Sequence, residues 1–136
     1  MTERASTFLM FYGQAEEALT LYREVFESIE MGPVEKYGPE TEEMNGKIKR
    51  AALRLGGQRL MLIDSPAVHD FGFTPAISIF VDCDSDTDIV EKFDALSADG
   101  QIFMPLDNYG FSQRFAWVAD KFGVSWQLNL PDAPRA

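Results

Sequence analysis

The chain has 136 residues, with 22 acidic against 12 basic side chains and a net charge of −10. That length suits one domain, residues 1–136, whose core needs no disulfide staples, and the single cysteine, Cys83, allows no intrachain bridge. The negative charge argues against nucleic acid or an anionic membrane as a partner, and no run reaches the ~20 apolar residues that span a bilayer.

The start, MTERASTFLMF, lacks a signal-peptide pattern, so a cytoplasmic location is expected. Residues 7–12 (TFLMFY) are a short apolar run rich in aromatics and predict a strand. Gly13-Gln14 breaks it. Residues 15–27 follow with Ala18, Leu19, Tyr22, Val25 and Phe26 at helical spacing, and Glu16 and Glu17 in the first turn suit the helix dipole. Residues 31–46 hold Gly32, Pro33, Gly38 and Pro39 and the acidic run 40–43. They predict a short strand around 29–36 and then a solvated, mobile loop. A loop of that length is a plain connection, a lid or a partner contact.

Residues 47–55 and 58–63 alternate in polarity about Gly56-Gly57, which predicts a hairpin. Residues 64–74, with the only histidine, His69, read as a linker. The order then repeats. Residues 76–81 (AISIFV) predict a strand, the acidic approach 82–88 offers helix-capping residues, and 87–98 predict a helix with Ile89, Phe93 and Leu96 on one face, ended by Gly100. The remaining strands are expected at 102–105, 113–119 and 124–130, and the tail 131–136 is expected to fray. Two stretches, about 6–66 and 75–130, thus share one plan: strand, helix, then strands ending in a Gly hairpin.

The segments GQAEEALTLYREVF (13–26), RAALRLGGQRLMLIDSP (50–66), ISIFVDCDS (77–85) and DKFGVSWQLNL (120–130) resemble the vicinal-oxygen-chelate superfamily of glyoxalases, bleomycin-resistance proteins and extradiol dioxygenases, and its PhnB-like branch most closely. The resemblance covers nearly the whole chain. It implies an α+β fold of two tandem βαβββ modules, a cupped eight-stranded mixed sheet with helices on its convex side, and a homodimer. The branch is also named for a ubiquinone-pathway methyltransferase, yet no glycine-rich strand-to-helix turn of the kind that cradles a nucleotide-like cofactor is present. No cofactor is expected.

Metal-binding members of the superfamily use histidine and glutamate from the concave strands, donors suited to zinc and octahedral divalent ions. At the corresponding places this chain has Ser6, Thr7 and Phe8 on the first strand and Ala76, Ile77 and Ser78 at the second module's start. Arg50 stands where relatives often carry histidine, and Gln127 where they carry glutamate. A guanidinium repels a cation, so no metal site is expected. The acids Asp64, Asp82, Asp84 and Asp86 lack the spacing of a calcium loop. Cys83 sits among acids that raise a thiol pKa, and no Ser or Cys has a histidine partner.

Strand alternation places Ala51, Leu53 and Leu55 on a helix-packed side and Ile48, Arg50, Ala52 and Arg54 on the cup side. Likewise Trp126 and Leu128 face the helix, leaving Ser125, Gln127 and Asn129 inward, with Met61 at the cup floor. The hairpin rhyme sets Arg50 against Arg114 and Met61 against Gln127. The candidate ligand site is therefore Arg50, Met61, Arg114, Trp117 and Gln127, with Tyr109 and Phe111 as further walls or as core or dimer interface. Guanidinium groups suit an anionic or oxygen-rich small molecule, or pair with the chain's own acids. Three readings stay open: a metal-free dimeric binder; a lyase, isomerase or dioxygenase-type enzyme, with or without a metal; and a protein-interaction module working through the acidic surface and loop 31–46.

Overall fold

The computed structural model describes residues 3–132, so the last four residues of the expected frayed tail, 133–136, lie outside the described residues. The chain divides between Gly72 and Phe73 into two compact units, each a βαβββ module. The first contains β1 (Thr7–Phe11), α1 (Ala15–Val25), β2 (Glu30–Lys36), β3 (Ile48–Leu55) and β4 (Gln58–Asp64). The second contains β5 (Ile79–Asp82), α2 (Asp86–Ser97), β6 (Gln101–Asp107), β7 (Arg114–Ala119) and β8 (Ser125–Leu130). Sheet order is β1-β4-β3-β2 in one and β5-β8-β7-β6 in the other, with the outer pair β1/β4 or β5/β8 parallel and the rest antiparallel. The eight strands of the α+β fold are thus two four-stranded mixed sheets of identical topology. Among the described residues no helix is long and apolar enough to cross a membrane.

Each sheet buries one face under its own helix. In the first module Leu9, Phe11, Ala51, Leu53, Leu60 and Leu62 are buried with Ala15, Ala18, Leu19 and Tyr22 of α1. The i, i+3, i+4, i+7 spacing of those helical residues is what makes a single buried stripe. In the second, Ala116, Val118, Trp126 and Leu128 are buried with Ile89 and Leu96 of α2.

The helix ends are held differently. α2 is capped locally: the Ser85 hydroxyl accepts from the Asp88 amide, and the Asp88 carboxylate reaches back to accept from the amide of Asp84, the residue before the cap. α1 has no side-chain cap from Gln14. Instead Asp64, at the far end of β4 and almost wholly buried, accepts from Gly13 (2.8 Å) and Ala15 (2.9 Å) with Oδ1 and from Ile48 (2.9 Å) with Oδ2. Asp64 is therefore the last residue of a strand and a tertiary helix cap, not the first residue of a linker. Residues 65–78 carry no helix or strand, and His69 lies exposed among them, stacked on Phe71 at 5.2 Å.

Four local expectations change. The first strand of module two begins at Ile79 rather than at 76, because the parallel ladder to β8 starts with Ile79 opposite Trp126. β6 runs beyond Pro105, which as an edge strand with register shifts it can hold, just as edge strand β2 holds Pro33 at its own shift. The left-handed residue that closes α2 is Asp99 (φ +58°), while Gly100 is required by space: a Cβ there would stand 2.1 Å from the Ala119 carbonyl oxygen. Ile48 is buried on the helix side rather than beside Arg50, because a register shift between Glu35 and Lys36 inverts the alternation there. The Gly56-Gly57 turn has both residues at positive φ (54° and 87°), the backbone of a two-residue hairpin turn. Past β2, the segment to Gly46 is ordered by a 3-10 turn at Glu42–Met44, buried Met44, and the backbone pair Tyr37 N to Lys47 O and Gly46 N to Tyr37 O.

Candidate functional site

The face of each sheet turned away from its helix is the candidate site, and register defines its members. In the first module Phe8 lies opposite Met61, and Met61 opposite Ala52. In the second, Phe80 lies opposite Gln127, and Gln127 opposite Trp117. Phe8 and Phe80 therefore occupy one structural position, and they are exposed alike, at 56% and 55%.

Arg50 is exposed, two residues before Ala52 on the same face, with Glu35 as its register partner, and no ion pair reaches it among the described residues. Arg114 is not on the open face. It precedes Trp117 by three residues, an odd step, so it shares the side of Leu130 and Ala116, and its guanidinium donates to Asp86 at the start of α2 (2.9 Å). A one-residue offset moves a side chain to the other face of a sheet, which is why the rhyme of Arg50 with Arg114 misleads. By register the counterpart of Arg50 is Phe115.

Around Trp117 the second face is polar beneath and aromatic above. Trp117 Nε1 donates to Ser125 Oγ (2.9 Å), the Ser125 and Ser78 hydroxyls share a bond of 2.6 Å, and Gln127 Nε2 donates to Ser78 Oγ (3.2 Å). Phe103 packs on Trp117, with ring centres 5.1 Å apart. Phe80, Tyr109 and Phe111 surround Phe115 at 6.3, 6.1 and 5.0 Å. Next to Phe115 in register lies Asn129, itself opposite Asp82. Asn129 Nδ2 donates to Asp82 Oδ1 (2.9 Å), which fixes the amide orientation because a carboxylate only accepts. Asn129 Oδ1 is then left buried without a hydrogen-bond partner. Alternation places Asn129 on this face, but its unmet acceptor is visible only once Asp82 is placed.

The other chemical candidates are quiet. Burial, with Asp88 adding to it, pushes the Cys83 thiol up to about 12, so burial rather than the neighbouring acids is the main cause of its inertness. Burial alone would raise Asp88, but the hydrogen bond from Lys92, that from the Asp84 amide and the Lys92 charge together hold its carboxyl below the ordinary value. Among the described residues no three His, Cys, Asp or Glu side chains converge as a metal-ligating group. With Arg50 and Gln127 on the strands and His69 off them, the residues present do not fit the divalent metal that the resemblance implies for other members.

The model of the family described as 3-demethylubiquinone-9 3-methyltransferase matches residues 3–129. A solved PhnB protein from Bacillus cereus is 43% identical, covers 94% of this chain and 99% of its own, and superposes with a TM-score of 0.88. An uncharacterised protein of Mycobacterium bovis is 32% identical over 127 residues, 86% of this chain and 76% of that protein. The fosfomycin resistance protein FosX of Listeria monocytogenes, solved as a mutant with Mn(II), is 9% identical over 98% of this chain and 94% of its own, with a TM-score of 0.66, and shares the fold alone.

Proposed function

This chain belongs to the 3-demethylubiquinone-9 3-methyltransferase family as a PhnB-like member of the vicinal-oxygen-chelate superfamily, and we propose that it is a metal-free, dimeric, cytoplasmic binder of small molecules rather than a methyltransferase. The observation that carries the reading is Asn129. A buried amide oxygen without a partner costs about 1–3 kcal/mol, a cost that a ligand hydroxyl or amine donor removes. The surrounding Phe80, Phe115 and Phe111 supply the apolar walls that small-molecule sites use, and Gln127 and Trp117 continue the same surface. On the first module's open face, Arg50 and Met61 offer a cation and a polarisable thioether to an anionic or oxygen-rich group. Arg114, held on Asp86, takes no part.

A thermal-shift screen of hydroxylated and amine-bearing aromatic compounds tests the proposal. A hit should raise the melting temperature of the wild type, lose its effect in Asn129→Leu, and be indifferent to EDTA, and the protein should sediment at twice the chain mass. A sharp fall in melting temperature with EDTA, or stoichiometric metal by elemental analysis, would overturn the metal-free reading. Turnover that Arg50→Ala abolishes would make the chain an enzyme. A pull-down partner lost on deleting residues 37–46, with no small molecule bound, would make it an interaction module.

A further inference from the structure

A second cleft lies within the first module, away from Arg50. It has a volume of about 500 Å³ and is walled by Glu3, Arg4, Arg54, Gln58, Arg59 and the Gly57 turn. Arg54 and Arg59 are direct cross-strand partners on β3 and β4. Like charges in that position are destabilising. The chain has 22 acidic residues, yet among the described residues no ion pair reaches Arg4, Arg54 or Arg59. The nearby carboxylates are Glu3 in the cleft wall and Glu30, opposite Arg54 in register, and neither lies within ion-pair distance of them. Gln58 Nε2 is turned to Thr7 Oγ1 (2.8 Å). The result is a local concentration of guanidinium donors in a protein whose net charge repels anions in general.

We propose that this cleft binds a small polyanion carrying two or more oxyanion groups. Three guanidiniums present planar pairs of donors that match phosphate or carboxylate oxygens, and a bound polyanion relieves the repulsion between Arg54 and Arg59. The volume suits a ligand of a few tens of atoms at most. Arg54 and Arg59 follow Ala52 and Met61 by one same-face step of the β3/β4 ladder, so the cleft occupies the far end of the first module's open face from Arg50, and neither Arg50, Met61 nor Asn129 lines it.

The test is calorimetric titration of the full chain with inorganic pyrophosphate and, separately, with citrate in 150 mM salt, a concentration at which diffuse attraction is screened. One of the two should bind saturably. Arg54→Ala and Arg59→Ala should each weaken it at least tenfold, and the double variant should abolish it while melting no lower than the wild type without ligand. Arg50→Ala and Asn129→Leu should leave it unchanged. Preference for pyrophosphate assigns a phosphate-type ligand, and preference for citrate a polycarboxylate. Absence of saturable binding by both, or binding that survives in the folded double variant, overturns the proposal.

Discussion

On the edge strand that opens each sheet, β1 or β5, stands an exposed phenylalanine, Phe8 in the first module and Phe80 in the second, and beyond that shared residue the two faces part. Beside Phe8 lie Met61 and Ala52, with Arg50 beyond them. Beside Phe80 lie Gln127 and Trp117, with buried Phe115 beyond. Repetition has preserved the backbone, the sheet order and one aromatic position, while the chemistry has become basic and aliphatic on one side and aromatic and amide-rich on the other. A fold made of two equal modules need not have two equal surfaces, because the ladder constrains the backbone and the helix side constrains packing, but nothing in either constrains the open face.

The modules also rest on different buried carboxylates. Asp64 ties the first module's β4 to the start of α1 and to β3, whereas in the second Asp120 sits in the β7–β8 hairpin and accepts from the Phe122 and Val124 amides and from Trp126 Nε1. Asp64→Ala should break the comparison most severely: it strands three backbone donors, two of them in buried bonds, and should cost roughly 3–5 kcal/mol by urea unfolding. The matching position in module two is Leu130, so the loss should fall on the first module, read as faster hydrogen exchange in α1 and β3 than in α2 and β7.

Next in size, Gly100→Ala should destabilise the second module by about 2 kcal/mol or more, since the new methyl meets backbone rather than a movable side chain. Gly32 on the first module's edge strand has more room, its nearest atom being the Ala52 carbonyl oxygen at 3.1 Å, so Gly32→Ala should cost less in the same assay. Smaller again, Asn129→Leu should raise the stability of the ligand-free protein by about 1 kcal/mol, because it removes a buried unmet acceptor and frees only the exposed Asp82. A fall instead would mean that Asn129 holds structure, not ligand.

The smallest effect is acid-linked. Folding lowers the Asp88 pKa from its ordinary 3.8, so the stabilisation is present above that value and is lost as pH falls through the lower folded value. Lys92→Met should therefore flatten the dependence of the urea midpoint on pH below about 4 relative to wild type. Cys83 runs the other way: its raised pKa keeps the thiol neutral in the fold, so alkylation at pH 9 should be slow in the native protein and fast in urea.

The paired βαβββ modules came from the family resemblance, while the sequence by itself determined an α+β chain with an internal repeat, both helices, the Gly56-Gly57 hairpin and the helix-facing sides of β3 and β8. Each of these is written in short-range periodicity and turn chemistry, which neighbouring residues suffice to express. It also placed Arg50, Met61, Gln127 and Asn129 on one parity. Tertiary structure alone decided what crosses between segments. An extra residue in β3, Lys49, turned Ile48 to the helix side, Asp86 at the start of α2 captured Arg114, and a strand-end aspartate capped a helix 49 residues away in sequence. The unmet acceptor of Asn129 and the unpaired arginines 54 and 59 belong to the same class. Pairing is a property of two strands at once, and a partner in space has no fixed offset in the chain.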